Sequence, residues 1–246
     1  MPVRRVRIPK PDGGERPPGI AALEDEIVQR ALVDIVLNPI YEAEFLGCSY
    51  GFRPGRGAHD ALDALACVIE QCKANWIVDC DIRKHSDEIN RDWLIRFPEH
   101  RIGDRRVIRL IGKWLHAGVM EDGLRDDTGK GSPQGAIIAP FLANVYLHYV
   151  LDLWMDRKWR KRAARGEVRI IRYADDFGLC ERNAVPRRRG ALLAGCARAL
   201  RAMRPEAAPR EDPADRISTI RDSEPAEAGA GKTGDVRLSR LHALLP

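Results

Sequence analysis

Apolar positions recur at helical spacing over 23–37, and Glu24, Asp25 and Glu26 gather in the first turn, where a helix dipole favours acids. The Asn38-Pro39 pair that follows predicts the end of that helix. A second helix is predicted over 58–73, and W-I-V-D-C-D-I at 76–82 predicts a short strand. Helical spacing returns at 92–96 and 105–117, and a long helix is expected over 140–158 with Pro140 near its start. Pro98 falls where the helix from Asp92 would continue. An interior proline costs roughly 3 kcal/mol, so a break and loose packing are expected there. The segments 168–172 and 177–180 flank a tight acidic turn like the arms of a hairpin. No internal repeat is visible.

All fifteen aromatic residues lie between Tyr41 and Phe177, so the last 69 of the 246 residues contain none. The tail's only Val and Ile are Val185, Ile217, Ile220 and Val236, and it is rich in Pro, Ala, Arg and Glu. Such a composition buries too little apolar surface to offset chain entropy, so disorder is expected beyond a possible helix at 191–203. The chain as a whole is 44% hydrophobic and 31% charged, which excludes wholesale disorder and suffices for one large or two small domains. No apolar run approaches the ~20 residues that span a bilayer, and the basic start has no hydrophobic stretch behind it. A cytoplasmic protein with no membrane partner is expected. Six cysteines (48, 67, 72, 80, 180 and 196) form no C-x-x-C pair, which favours reduced thiols over disulfides or zinc. Forty-one Lys and Arg against 36 Asp and Glu give a net charge of +5, which permits a polyanionic partner.

Two places put aspartates at strand ends in apolar surroundings: Asp79 and Asp81, and the adjacent Asp175 and Asp176. An Asp-Asp pair alone is more often an Asx turn capping a hairpin. If a third carboxylate faces the pair, however, the repelling charges need cations, and oxygen-only ligation suits Mg²⁺. Two such ions about 3.5–4 Å apart activate an attacking 3′ hydroxyl and stabilise leaving pyrophosphate, which is nucleotidyl transfer.

The surrounding motifs favour that chemistry. Tyr173-Ala174-Asp175-Asp176 resembles the Y-A-D-D box of reverse transcriptases. In the family's order stand I-P-K-P-D-G-G-E-R-P at 8–17, S-Y-G-F-R-P-G-R at 49–56, D-I-R at 81–83, G-S-P-Q-G at 131–135 and P-F-L-A-N at 140–144. Together they resemble a group II intron reverse transcriptase or maturase. The resemblance implies an α+β fold: right-hand polymerase fingers and palm, with an antiparallel palm sheet and packed helices. It implies that Asp81, Asp175 and Asp176 hold two Mg²⁺ ions, with the backbone carbonyl of Ile82 completing one shell, whereas Asp79 has a local structural role. Arg16 and Arg53 match positions near the triphosphate, where a planar guanidinium suits phosphate oxygens. Gln134 matches a residue near substrate and template, and the neighbouring Gly135 permits close backbone approach. The basic run 157–162, R-K-W-R-K-R, suits phosphates or a snorkelling helix end equally. The partners so implied are an RNA template, a DNA or RNA primer, dNTPs and a group II intron RNA.

Two departures from the family pattern bear on activity. The family's D-I-x-x-F-F-D reads D-I-R-K-H-S-D here, so Ser86 occupies the position of the ring that packs under the sugar, and sugar discrimination is in question. The tail also lacks the family's G-L-x-L-x-x-x-K-T, F-x-F-L-G-F and thumb segments. Back-translated and read from the second base of each codon, 205–218 can encode LKLHPEKTRLIEF, 231–242 with the following base can encode GRPETFDFLGFT, and 197–205 can encode RERFARCGL. A frameshift between about 177 and 186 is therefore expected, giving a fingers/palm domain over 1–180, an unrelated tail over 181–246 and no thumb. The alternative to an active polymerase is a non-catalytic relic with RNA-binding or maturase-like function.

Overall fold

A computed structural model describes residues 2–6, 8–9, 15–16, 19–71, 74, 76–82, 85, 89–121, 124–126, 135–157, 168–181, 194–196, 198–199 and 217–219. Helices and strands mix as expected, and the chain divides into two compact units. One comprises Met1–Leu46, Arg83–Leu151 and Ala199–Arg210; the other comprises Gly47–Ile82, Asp152–Arg198 and Glu211–Pro246.

The first unit begins with β1 (Val3–Arg5), β2 (Ile8–Pro9), β3 (Glu15–Arg16) and β4 (Gly19–Ile20). Strands β2 and β3 form a hairpin with Ile8 opposite Arg16. Helix α1 (Leu23–Ala31) starts where its three acids predict. It does not stop at Asn38-Pro39. The chain widens into a π-helical stretch, Leu32–Leu37, and runs on into α2 (Asn38–Glu42) with Pro39 in its first turn. The Asn38 N–H reaches back five residues to the Val33 carbonyl, and the wider turn lets the helix pass a residue that has no N–H of its own.

Helix α4 (Arg91–Arg101) also departs from expectation, because it continues through Pro98. The Asn90 side chain caps its start at 2.8 Å from the Asp92 N–H. Pro98 has no N–H to return to the Leu94 carbonyl, but the helix closes beyond it, with the Ile102 N–H donating to the Pro98 carbonyl at 2.8 Å and the Tyr41 hydroxyl to the neighbouring Phe97 carbonyl at 3.3 Å. The expected loose packing is absent. Phe97 stacks on Tyr149 at 4.7 Å between ring centroids, and Tyr41 packs edge-on against Phe141 at 5.7 Å. Helix α5 (Arg105–Leu115) is capped by Asp104, which accepts from the Arg106 N–H at 2.8 Å. That bond and the Arg106 guanidinium hold the Asp104 carboxyl down to about 2. Strands β6 (Val119–Glu121) and β7 (Leu124–Asp126) complete a sheet of order β4-β1-β6-β7, in which β1 and β6 run parallel. Helix α6 (Ile138–Leu147) is buried along nearly all its length, and a π-helical turn carries it on to Asp152.

The second unit is built on a four-stranded antiparallel sheet. Helix α3 (Ala58–Gln71) precedes β5 (Trp76–Ile82), and the hairpin is β8 (Val168–Tyr173) and β9 (Asp176–Glu181). The order is β10-β5-β9-β8, where β10 is Ile217–Thr219. Alternation divides the sheet. Val78, Cys80, Phe177 and Leu179 are buried on one face, while Ile171, Ile77 and Cys180 on the other pack with Ala61 and Leu65 of α3.

Strand β10 corrects the expectation that nothing in the tail joins the palm. It pairs antiparallel with β5, Ile217 opposite Ile82, Ser218 opposite Asp81 and Thr219 opposite Cys80. An Ile-Ser-Thr triplet has β-branched residues at both ends, which suits extended backbone, and β9 leaves one edge of β5 open to it. Among the described residues no helix is long and apolar enough to cross a membrane.

Candidate active site

The β8–β9 hairpin turns over two residues, Ala174 and Asp175, with Ala174 at φ 57°, a left-handed conformation that is uncommon for alanine. Asp176 is the first residue of β9 and stands opposite Asp81 of β5. Directly opposed residues of an antiparallel pair project to the same face, about 4.5–5.5 Å apart at Cβ. Asp81 and the adjacent Asp175 and Asp176, far from it in sequence, therefore meet at one end of one sheet. Burial pushes the Asp175 carboxyl above the usual carboxylate range, and the charge of Asp81 pushes it the same way, while its own backbone and the Arg172 charge act in the opposite sense. Ile82 closes β5, is buried, and faces Ile217 across the ladder. Asp79 stands opposite Gly178, two residues further into the sheet.

The oxygen-only donors at this end suit a hard divalent cation, whose charge would relieve the repulsion between Asp81 and Asp175. Among the described residues, however, no group of three or more His, Cys, Asp or Glu side chains is already arranged to hold a metal ion.

The 47–53 loop lies against the hairpin. Ser49 bridges Arg172 in parallel, the Arg172 N–H donates to the Cys48 carbonyl at 2.8 Å, and the Tyr50 N–H donates to the Arg172 carbonyl at 2.9 Å. A Cβ on Gly51 would sit 2.5 Å from the Ala174 nitrogen, so only glycine fits there without a backbone shift. Arg53 belongs to this loop and is buried, donating from Nη1 to the Ser49 carbonyl at 2.7 Å. Cys48 is pushed up to about 12, first by burial and then by the Asp152 charge.

Of the other sequence-predicted residues, Arg16 is placed by its register opposite Ile8, and Gln134 and Ser86 lie outside the described residues. Gly135, beside Gln134, has φ +100° and approaches the Gly19 backbone so closely that no Cβ would fit. His85 is buried with its ring 6.0 Å from that of Tyr146. The basic run lies outside the described residues except for Arg157.

Sequence reasoning missed the network behind the hairpin. Arg172 and Asp152, both without exposed side-chain area, form a two-point ion pair at 2.8 and 2.6 Å. Burial by itself would lower the Arg172 pKa, but the charge and hydrogen bonds of Asp152 outweigh it and the net direction is up. Asp152 did offer a signal, being an acid inside the apolar stretch V-L-D-L-W-M at 150–155. A charge in such a stretch needs a buried partner.

The family model described as reverse transcriptase (RNA-dependent DNA polymerase) matches residues 8–202. The chain belongs to the reverse transcriptase family. The sequence is 41% identical over 160 residues to the group II intron-encoded protein LtrA of Lactococcus lactis subsp. cremoris (63% of this chain, 26% of LtrA). It is 34% identical over 206 residues to protein YkfC of Escherichia coli K12 (73% of this chain, 54% of YkfC). It thus spans about half of YkfC and a quarter of LtrA. Among solved structures, telomerase of Candida tropicalis in complex with a fragment of telomeric RNA is similar in fold, with a TM-score of 0.60, 13% identity, and coverage of 92% of this chain and 41% of that one.

Proposed function

We propose that this chain is the fingers-and-palm core of a group II intron reverse transcriptase, an RNA-directed DNA polymerase that extends a DNA or RNA primer on an RNA template with dNTPs. The observation that carries the reading is the placement of Asp81 opposite Asp176, beside Asp175, at one end of the palm sheet. In this reading the core occupies 1–180, the family match runs on to 202, and the tail lends one strand.

Asp81, Asp175 and Asp176, with the Ile82 carbonyl, would hold two Mg²⁺ ions, which when bound supply a more acidic 3′ hydroxyl and stabilise the leaving pyrophosphate. The protein's own part is placement. The sheet brings three carboxylates to one end, and the 47–53 loop fixes the hairpin that carries two of them. Arg16 and Arg53 are assigned to the triphosphate, and Arg53 also braces its loop through the Ser49 carbonyl. Gln134 and Ser86 are assigned to the template and sugar side. Position 86 has no ring to pack under the sugar, so weak discrimination between dNTPs and rNTPs is expected. This reading places the protein in the cytoplasm, a reducing compartment in which Cys48, Cys67, Cys80 and Cys196 keep their thiols.

The test is primer extension by the full chain on an RNA template with Mg²⁺ and dNTPs. Template-directed incorporation is expected, rising when His85 and Ser86 are both replaced by Phe and falling at least ~1,000-fold in the Asp175→Ala, Asp176→Ala variant. Incorporation that survives loss of both carboxylates would defeat the reading. Salt-sensitive RNA binding without incorporation, in the Phe variant as well, would favour the non-catalytic relic.

A further inference from the structure

Arg172 sits immediately before Tyr173-Ala174-Asp175-Asp176, and its guanidinium makes four hydrogen bonds inside the second unit. Nε and Nη2 donate to the two carboxylate oxygens of Asp152, Nη2 also donates to the Ser49 hydroxyl at 2.8 Å, and Nη1 donates to the Ala174 carbonyl at 2.9 Å. The first three bonds fix the guanidinium. The fourth uses it as an anchor for the peptide plane that joins Ala174 to Asp175. That plane needs an anchor, because Ala174 is held in the left-handed region at φ 57°, where an L side chain does not rest unaided. Its carbonyl direction also decides where the next side chain, that of Asp175, projects. A planar fork can bridge three acceptors in fixed directions, whereas an ammonium on a flexible stem cannot.

We propose that Arg172, braced by Asp152 and Ser49, is a positioning residue that sets the Ala174–Asp175 peptide plane and so aims the Asp175 carboxylate at the cation site shared with Asp81. The proposal rests on the polymerase reading for the identity of that site and adds to it a buried aiming device. Misplacement of a reacting group by about 1 Å can cost ~100-fold in rate, so a device fixing one peptide plane is of the right scale to matter.

The test uses the full metal-free chain and three variants, Ser49→Ala, Arg172→Lys and Asp175→Asn. Ser49→Ala removes one brace and leaves the ion pair, so it covers the possibility that Arg172→Lys fails to fold. Two quantities are read: amide exchange at Asp175 and Asp176 relative to amides of α3, and binding of Mn²⁺ alone followed by paramagnetic resonance. Exchange at 175 and 176 should quicken about threefold in Ser49→Ala and at least tenfold in Arg172→Lys, with the α3 amides unchanged. Binding of Mn²⁺ should weaken by similar factors and be lost in Asp175→Asn. A uniform rise in exchange across β8, β9 and α3, or unchanged exchange at 175 and 176 in Ser49→Ala, would mark an ordinary buried ion pair and overturn the proposal. If the unaltered chain and Asp175→Asn bind Mn²⁺ equally, the polymerase reading fails, and the exchange data still decide the role of Arg172.

Discussion

Two groups of charges lie a few residues apart in the second unit and are treated in opposite ways. Arg172 and Asp152 are wholly buried, of opposite sign, and tied by two-point geometry with Ser49 as a third partner. Asp81 and Asp175 are of like sign, and the Asp175 carboxyl pKa is raised first by burial and further by the charge of Asp81. The fold neutralises the pair that holds the hairpin and leaves in conflict the pair that the hairpin presents. Electrostatic strain confined to one end of a well-tied sheet is the arrangement expected where binding of a cation, rather than folding, resolves the conflict.

The contrast is broken most severely at Asp152. Asp152→Ala would leave a guanidinium buried without its carboxylate, and a loss of about 3–5 kcal/mol is expected in urea unfolding of the full chain. Replacing Asp152 and Arg172 together by Leu and Met should cost far less, and equal losses in the single and double variants would contradict this account of the pair. Gly51→Ala comes next. Its Cβ meets Ala174 backbone rather than a flexible side chain, so a loss of roughly 1–3 kcal/mol is expected by the same measurement.

The smallest effect sharpens the comparison by its sign. A carboxyl raised by folding contributes stability that is present below its unfolded pKa, near 3.8, and is lost as pH rises through the folded value. Without divalent cations, Asp175→Asn should therefore stabilise the chain at pH 7, and the gain should vanish near pH 4. Urea midpoints at the two pH values in a chelating buffer measure it. A variant less stable than the natural chain at pH 7 would show that folding does not disfavour the charged form of Asp175.

Much of this site was legible from residue order, because W-I-V-D-C-D-I states the strand and the two arms around Asp175-Asp176 state the hairpin. Helix starts were equally legible, since Asp104 and the acids after Leu23 act locally. The prolines were misleading for a physical reason. A π-helical stretch widens the turn before Pro39, and the stacking of Phe97 on Tyr149 helps to offset the N–H bond that Pro98 forgoes; neither shows in spacing. Strand β10 was hidden by length, since three residues carry no periodicity and pair only because β5 offers an edge. The role of Arg172 was hidden because Ser49, Asp152 and Arg172 meet only through the fold.

The connectivity of the palm sheet also has a kinetic consequence. Strands β8 and β9 are joined by a two-residue turn, and such hairpins close in about 1–10 μs. Strand β5 must instead find β9 across a separation that places Trp76 opposite Glu181, and closing so long a loop carries an entropic cost before any contact is gained. Folding should therefore assemble the hairpin early, with Asp175 and Asp176 already adjacent, and bring in Asp81 late. Pulse-labelled amide exchange should find β8 and β9 protected before β5. The like charges would then be forced together only at the final docking step, so a divalent cation should act on the late folding rate and leave hairpin formation untouched.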